Sequence, residues 1–419
     1  MNPMNVLVIG QGGREHALVR ALKQSKSVGE VHALPGSDGI ALMAQCHLGV
    51  DVQDVDAVAH VISLNKIELV IIGPEVPLAN GLSDALRARD VAVMGPSKDA
   101  ARLESSKIFS KEFMISAGVP TARSQVVSTV EETLKASGQY APPYVLKADG
   151  LAAGKGVYIC KTREALEEAA RDLFEKKVLG SAGDRGLLEE FSPGFEISYL
   201  ILTNGESFVS LPLAQDHKRL LDNDEGPNTG GMGVVAPVPL EKSVHERIIK
   251  DVLERSVDEL KRRRLLFRGV LFVGLMMTPE GPSVLEYNTR FGDPETQVLL
   301  PLLDGDWLEV LNELAHGRVT ELKWKSISSA CVVLAASGYP DHPVKGAPIE
   351  IPANSQESKY LLHAGTERKS NGWVTSGGRV LNAVGLGATL REAIENAYDV
   401  AKSVKSESLI MRTDIGRKV

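Results

Sequence analysis

The sequence predicts an α/β protein: an N-terminal doubly wound parallel sheet, a mixed middle region and a mainly antiparallel C-terminal cap. Three observations lead there. Short apolar runs alternate with helical segments over roughly the first hundred residues, the pattern of a parallel sheet wrapped by helices. Glycine is plentiful, at 39 of 419 residues, which suits many tight strand–helix turns. The last stretch carries short strands with Gly-rich turns (AASGYP, TSGGRV) and a single helical pattern, TLREAIENAYDVAKSV.

Taken in order, VLVIG (6–10) reads as a strand ending in glycine, and QGGREHALVRALKQ as a helix entered through a Gly-rich turn. VHALPG (31–36), LVIIGPE (69–75) and VAVMGPS (91–97) supply three more strands. A helix over 105–118 is closed by Gly118 and Pro120. YVLKADGLAAGKGVYIC (144–160) reads as strand, glycine loop, strand, followed by the helix TREALEEAARDLFEKK and the strand GLLEEF. From 195 to 288 the periodicity is mostly that of strands, broken by a helix around 242–263. The expected divisions are 1–104, a central body from 105–122 and 194–325, a small inserted module at 123–193, and a cap at 326–419. The cap shows no chemistry legible in its residues.

Composition excludes several classes. Lys plus Arg is 47 and Asp plus Glu 54, a net charge of −7, so there is no general attraction to nucleic acid or anionic membrane. No apolar run approaches the ~18–20 residues that span a bilayer, and the N-terminus runs straight into a strand with no export signal. Three scattered cysteines, Cys46, Cys160 and Cys331, argue against a disulfide framework and for a cytoplasmic setting. Small-molecule substrates and a monomeric chain are the expectation.

Several loops could hold phosphates. GQGGREH (10–16) would aim backbone N–H groups and a helix dipole at an anion, although Glu15 stands where a dinucleotide fingerprint needs glycine or alanine. A ligand-free tight turn is the alternative. GPEVPL (73–78) falls at the C-terminal edge of its strand, where Glu75 could accept sugar hydroxyls; a solvated loop acid is the alternative. KADGLAAGKG (147–156) is not a P-loop, because Asp149 and Gly156 break that pattern. It could still close over a triphosphate, with a flexible hairpin carrying solvated lysines as the alternative. GPNTGGMG (226–233), flanked by QDHKR, reads as a connector or a lid.

LEYNTRFGDPETQ (285–297) raises a sharper question. In an apolar strand with Val284, Leu285 and Tyr287 buried, Glu286 and Asn288 share one face. An unpaired buried acid costs several kcal/mol, so a cation must stand opposite. Mg²⁺ fits such hard oxygen donors, taking its other ligands from phosphates and water; a structural Glu–Arg ion pair is the alternative. Arg290 could grip a substrate carboxylate. With no Ser/His/Asp or Cys/His nucleophile set in view, metal-assisted phosphoryl transfer is the favoured chemistry.

GQGGREHAL, GPEVPL, SSKIFSKEFM, KADGLAAGKGV, EEFSPGFEIS, QDHKR, GPNTGGMG, EYNTRFGDPETQ and MRTDIGRKV occur in this order across nearly the whole chain. Together they resemble the phosphoribosylamine–glycine ligase family of ATP-grasp enzymes in purine synthesis. The resemblance implies ATP-dependent joining of glycine to 5-phosphoribosylamine through a glycyl phosphate. It also implies a two-part ATP-grasp module behind the N-terminal sheet domain. By position it implies that Gly10, Gly12, Gly13, Arg14 and Glu75 bind phosphoribosylamine. Lys107, Lys147 and the flap with Gly150, Gly154, Lys155 and Gly156 meet ATP phosphates. Glu189, Glu190 and Phe191 form the adenine hinge, and Glu196 meets the ribose. Glu286 and Asn288 hold Mg²⁺ or Mn²⁺. Asp216, Lys218, Arg290 and Asp293 orient glycine and the amine, with Arg290, Asp216, Asp293 and Lys147 as the catalytic set. Gln11, Phe195 and Thr289 depart from the commoner family residues. Competing readings are another ATP-grasp ligase or carboxylase subunit, or a nucleotide sensor without turnover; all the phosphate lysines and metal donors being present weighs against the last.

Overall fold

The computed structural model describes residues 3–152, 154–352 and 356–417. The first sheet has five parallel strands, in the spatial order Gln45–Cys46, Val28–Pro35, Met4–Gly10, Leu69–Ile72, Ala92–Met94. Its strands read as unbroken apolar runs because both faces are covered: Val6 and Val8 enter one core cluster, Leu7 and Ile9 another. The order reverses between Met4–Gly10 and Leu69–Ile72, which opens a crevice at their C-terminal ends. Gly10 and Glu75 stand there. The strand at 45–46 had no signal in the sequence, being two residues long.

The helix expected at 105–118 begins later. Ser106 separates Lys98–Ser105 from Lys107–Ala117 and caps the second helix, its Oγ accepting the Phe109 N–H at 3.1 Å. Gly118, at φ 67°, ends it.

The inserted module is an antiparallel sheet in the order Ser124–Val127, Gly186–Glu190, Tyr144–Ala148, Val157–Cys160. Helices Val130–Ala136 and Arg163–Ala170 cover one face. Its glycine flap includes Ala153, which lies outside the described residues, as do Lys418 and Val419 of the terminal motif.

The central sheet runs Phe208–Ser210, Phe195–Thr203, Gly269–Thr278, Gly281–Asn288. Its last pairing is irregular: Glu286 faces Gly274 while Val284 faces Leu275, leaving Leu285 as an extra residue. This bulge corrects the expectation of a buried Leu285. Val284 and Tyr287 stay in the core, and Leu285, Glu286 and Asn288 all reach the other face.

The last sheet is antiparallel, in the order Gln215–Asp216, Gly233–Ala236, Ser328–Ala336, Arg379–Gly387, Lys359–His363. Two of its strands come from before 325, so the cap is built partly on the segment that carries Asp216. Helix Leu390–Ser403 packs on this sheet through Ala393, Ala397, Val400 and Ala401. The cap also touches the first domain: the His363 N–H donates to His16 Nδ1 at 2.9 Å, and the two imidazoles stack with centroids 5.7 Å apart. Among the described residues no helix is long and apolar enough to cross a membrane.

Candidate active site

One cleft of about 810 Å³ lies where the first sheet, the inserted module, the central sheet and the cap converge. Nearly every residue singled out in the sequence lines it. Gly13 and Lys155 do not. The Lys155 ammonium instead stands 3.9 Å from Asp341 of the cap.

The floor is set by the strand Gly281–Asn288 and the start of helix Lys107–Ala117. Lys107 Nζ is 3.0 Å from Glu286 Oε2. The Lys107 charge outweighs the effect of burial and draws the Glu286 carboxyl down to about 2. Burial alone would lower the Lys107 ammonium, but Glu286 reverses that and raises it. Lys147 Nζ lies 2.7 Å from Glu189 Oε2 and donates to the Leu285 carbonyl at 3.1 Å. Lys111 reaches Glu189 Oε1 at 2.8 Å. Glu189 is thus a buried acid between two lysines. Burial would raise its carboxyl, yet Lys147 and Lys111 hold it below the usual range. Its side chain is committed to this pair, which leaves only its backbone for a hinge contact.

Glu286 and Asn288 offer two oxygen donors side by side, with Asn288 Oδ1 accepting from Arg290 Nη2 at 3.4 Å. Among the described residues no group of three or more His, Cys, Asp or Glu could hold a metal alone. The pair therefore suits a divalent ion whose remaining ligands arrive with phosphates and water. At the other wall, Glu190 is paired with Arg123 at 2.7 Å and Phe191 sits on the lip. Glu196 is exposed to the cleft, and the surrounding walls desolvate its carboxyl enough to raise it, with Lys218 partly opposing.

At the crevice end, Gly10 has φ 125°, and a Cβ there would lie 2.5 Å from Glu15 Cγ; only glycine fits. Glu15 folds under the loop, its Oε2 accepting the Gly12 N–H at 2.7 Å and its Oε1 the Arg14 Nε at 2.6 Å. This corrects one expectation: the Gly12 N–H is occupied by Glu15 and does not face an anion. Arg14 also donates to the Phe291 carbonyl at 3.1 Å. Arg290 is held by Glu104 at 2.9 Å and faces Glu75 at 3.6 Å. Burial would raise the Glu75 carboxyl, but Arg290 and Arg14 outweigh it and lower it.

Between the two ends, Lys218 is paired with Asp216 and lies 3.9 Å from Glu295, which accepts from Ser198 Oγ at 3.0 Å. Burial, aided by Asp216, keeps the Glu295 carboxyl above its ordinary value against the pull of Lys218. Asp293 accepts from Gln297 Nε2 at 2.8 Å and meets Arg379 Nη2 at 3.4 Å. Arg379 also donates to the carbonyls of Gly230 at 2.8 Å and Asp293 at 2.6 Å, and Tyr339 Oη accepts the Gly230 N–H at 3.0 Å. Glu104, Glu295, Tyr339 and Arg379 were not among the residues singled out. Glu295 was visible in the acidic stretch. Arg379 and Tyr339 come from the cap, where a lone arginine after two glycines (SGGR) was the only hint.

Three family models together match most of the chain: phosphoribosylglycinamide synthetase N domain over 4–104, its ATP-grasp (A) domain over 105–296 and its C domain over 329–418. The phosphoribosylamine–glycine ligase of Corynebacterium ammoniagenes is 44% identical over 424 aligned residues, covering 99% of this chain and 97% of that one. That of Halalkalibacterium halodurans is 41% identical, covering 99% and 97%. The crystal structure of the Thermotoga maritima phosphoribosylamine–glycine ligase superposes with a TM-score of 0.85 at 36% identity, covering 98% of this chain and 100% of the other. A 2-oxoglutarate carboxylase biotin carboxylase domain from Hydrogenobacter thermophilus shares the fold, with a TM-score of 0.76 at 17% identity.

Proposed function

Because the chain belongs to the phosphoribosylglycinamide synthetase family, we propose that its cleft performs the family's ligation with the residues described above. The reaction joins glycine to 5-phosphoribosylamine, converting ATP to ADP and phosphate. The observation that carries the residue-level reading is the floor of the cleft. Two lysines, Lys147 buried and Lys107 half-buried, stand beside the Glu286 and Asn288 oxygens, between a hinge on one side and the crevice of the parallel sheet on the other.

Lys107 and Lys147 hold the transferring phosphoryl group and offset the charge that develops on it. Glu286 and Asn288 would hold Mg²⁺ or Mn²⁺, which neutralises phosphate charge when bound. The hinge at 189–191 and Glu196 take adenine and ribose. A glycine carboxylate oxygen attacks the γ-phosphorus, and ADP leaves. The flap at 150–156 closes to keep water from the glycyl phosphate. Arg14, beside the loop at 10–12, holds the phosphate end and Glu75 accepts the ribose hydroxyls, so that the amine nitrogen meets the glycyl carbonyl at close range. The new C–N bond forms as the C–O bond to phosphate breaks, and the electron pair leaves with phosphate. The amine proton passes to a carboxylate. Glu295, kept basic by burial, suits that role better than Asp293, which Arg379 and Arg14 hold in the ionised form. Lys218 and Arg290 orient the glycine carboxylate. The free thiols of Cys46, Cys160 and Cys331 support a reducing, cytoplasmic setting.

The test follows ADP release from the purified chain with ATP, Mg²⁺, glycine and phosphoribosylamine generated in situ, each omitted in turn. Release should need all four. Bicarbonate-dependent release without glycine would contradict the reading.

A further inference from the structure

The motif MRTDIG near the C-terminus lines no part of the cleft, yet four of its residues bond to the segment 217–224 or to one another. Arg412 is buried. Its Nε and Nη2 donate to the two oxygens of Asp414, at 2.7 and 2.8 Å, and its Nη1 donates to Asp224 Oδ1 at 3.0 Å and to the Arg219 carbonyl at 3.1 Å. Asp414 Oδ2 accepts the Asn223 N–H at 2.8 Å. The Thr413 N–H donates to Asp222 Oδ1 at 2.8 Å, and its hydroxyl pairs with Asp222 Oδ2. Every one of these bonds ends on the hairpin made by strands Arg219–Leu221 and Glu225–Asn228, or on the aspartate that holds Arg412 in place.

That hairpin is mostly exposed, and its turn is left-handed at two successive residues. Asn223 and Asp224 both have positive φ, 60° and 56°, the left-handed conformation that asparagine and aspartate adopt more readily than other non-glycine residues. The contacts that hold it in place come from 412–414. The base of the hairpin is in the cleft: the Thr229 N–H and hydroxyl both donate to the Lys218 carbonyl at 2.8 Å, and Lys218, Asn228 and Thr229 line the wall. A second grip lies beside it. His217, between Asp216 and Lys218, accepts the Gly416 N–H on Nε2 at 3.1 Å and meets the Gly233 carbonyl through Nδ1 at 3.1 Å. The hairpin and His217 are therefore held by the same five residues of the tail, 412–416.

We propose that the segment 412–416 is a positioning device for the glycine and amine end of the active site. Arg412 and Thr413 lock the hairpin turn, and Gly416 locks His217, so that Lys218 and Asp216 present their charges at one fixed place. The segment acts through Lys218 and touches no substrate. The nucleotide floor around Lys107, Lys147 and Glu286 shares none of these bonds. The inference rests on the ligase reading above.

The test is the double variant Asp222→Ala, Asp224→Gly, which releases the Arg412 and Thr413 bonds to the turn at one half-buried and one exposed position and puts glycine at the positive φ of 224. Its kcat/KM for glycine and for phosphoribosylamine should fall on the order of 10- to 100-fold, the scale of a misplaced orienting group. The KM for ATP should stay within about twofold and the melting temperature near that of the unaltered chain. Arg412→Lys, which keeps the charge but loses the planar fork, should give the same split. Unchanged kinetics in the double variant, or a parallel rise of all three KM values, overturns the proposal. An unaltered chain without glycine-dependent ADP release overturns the ligase reading itself, a separate and recognisable result.

Discussion

Lys107 and Glu286, 179 residues apart in sequence, meet at 3.0 Å on the floor of the cleft. The pair gives the acid on this otherwise apolar strand a counter-charge from the first residue of helix Lys107–Ala117. It also stores the carboxylate in its ionised form. Its pKa is lowered from 4.5 to about 2, so its contribution is complete above the ordinary value and is lost only as pH falls toward about 2.

Glu286→Gln should therefore lower ADP release on the order of 10²-fold or more while the melting temperature shifts little, because both partners of this pair are partly exposed in the cleft. Steady-state kinetics at saturating ATP and Mg²⁺ would check this. A variant that turns over like the unaltered chain would remove Glu286 from the metal role.

Gly12→Val should raise the KM for phosphoribosylamine far more than that for ATP. Its φ of −89° tolerates a side chain, so backbone strain is not the issue. A Cβ would lie 3.0 Å from Glu15 Oε2 and 3.5 Å from Asp293 Oδ2, and valine would push into the crevice end of the cleft. Equal effects on both KM values would move the sugar-phosphate site elsewhere.

Glu189→Gln should destabilise the protein by about 3–5 kcal/mol, since Lys111 and Lys147 would keep their buried charges without a partner. Denaturant titration reads this directly, and limited proteolysis should find the inserted module cut first. A midpoint like that of the unaltered chain would show that the two ammonium groups find other counter-charges.

Acidification should loosen the seam between the first domain and the cap. Burial holds His16 at about 3 and His363 at about 4, both below the ordinary 6.5. The unfolded chain thus binds more protons than the folded one below about pH 6.5, and stability falls as pH drops from there toward 4, by roughly 1 kcal/mol per pH unit for each proton. His16→Asn keeps an acceptor for the His363 N–H and removes one titration. Melting temperatures from pH 7.5 to 4.5 should show a shallower slope for it; an identical slope would exclude His16 as a source.

Much of this was legible in the sequence, for physical reasons. Apolar runs alternating with helical spacing mark a sheet covered on both faces, and glycine loops at strand ends mark its ligand edge. Glu286 and Asn288 were legible because an acid in an apolar strand demands an explanation. What escaped was long-range. The bulge at Leu285 depends on the partner strand, so the exposure of Leu285 could not be read from its own neighbours. Arg379 and Tyr339 reach the cleft because the cap sheet borrows strands Gln215–Asp216 and Gly233–Ala236 from the centre, a pairing that no local pattern announces. The Glu15 carboxylate that takes the Gly12 N–H is not legible in the loop motif, because the return of that side chain is a matter of rotamer.

The central claim is that this cleft activates glycine as an acyl phosphate before the amine arrives. Glycine labelled with ¹⁸O in its carboxylate tests it most directly, with the released phosphate analysed by mass spectrometry after turnover with ATP and phosphoribosylamine. The account predicts one labelled oxygen per phosphate formed. Unlabelled phosphate accompanying product would contradict it.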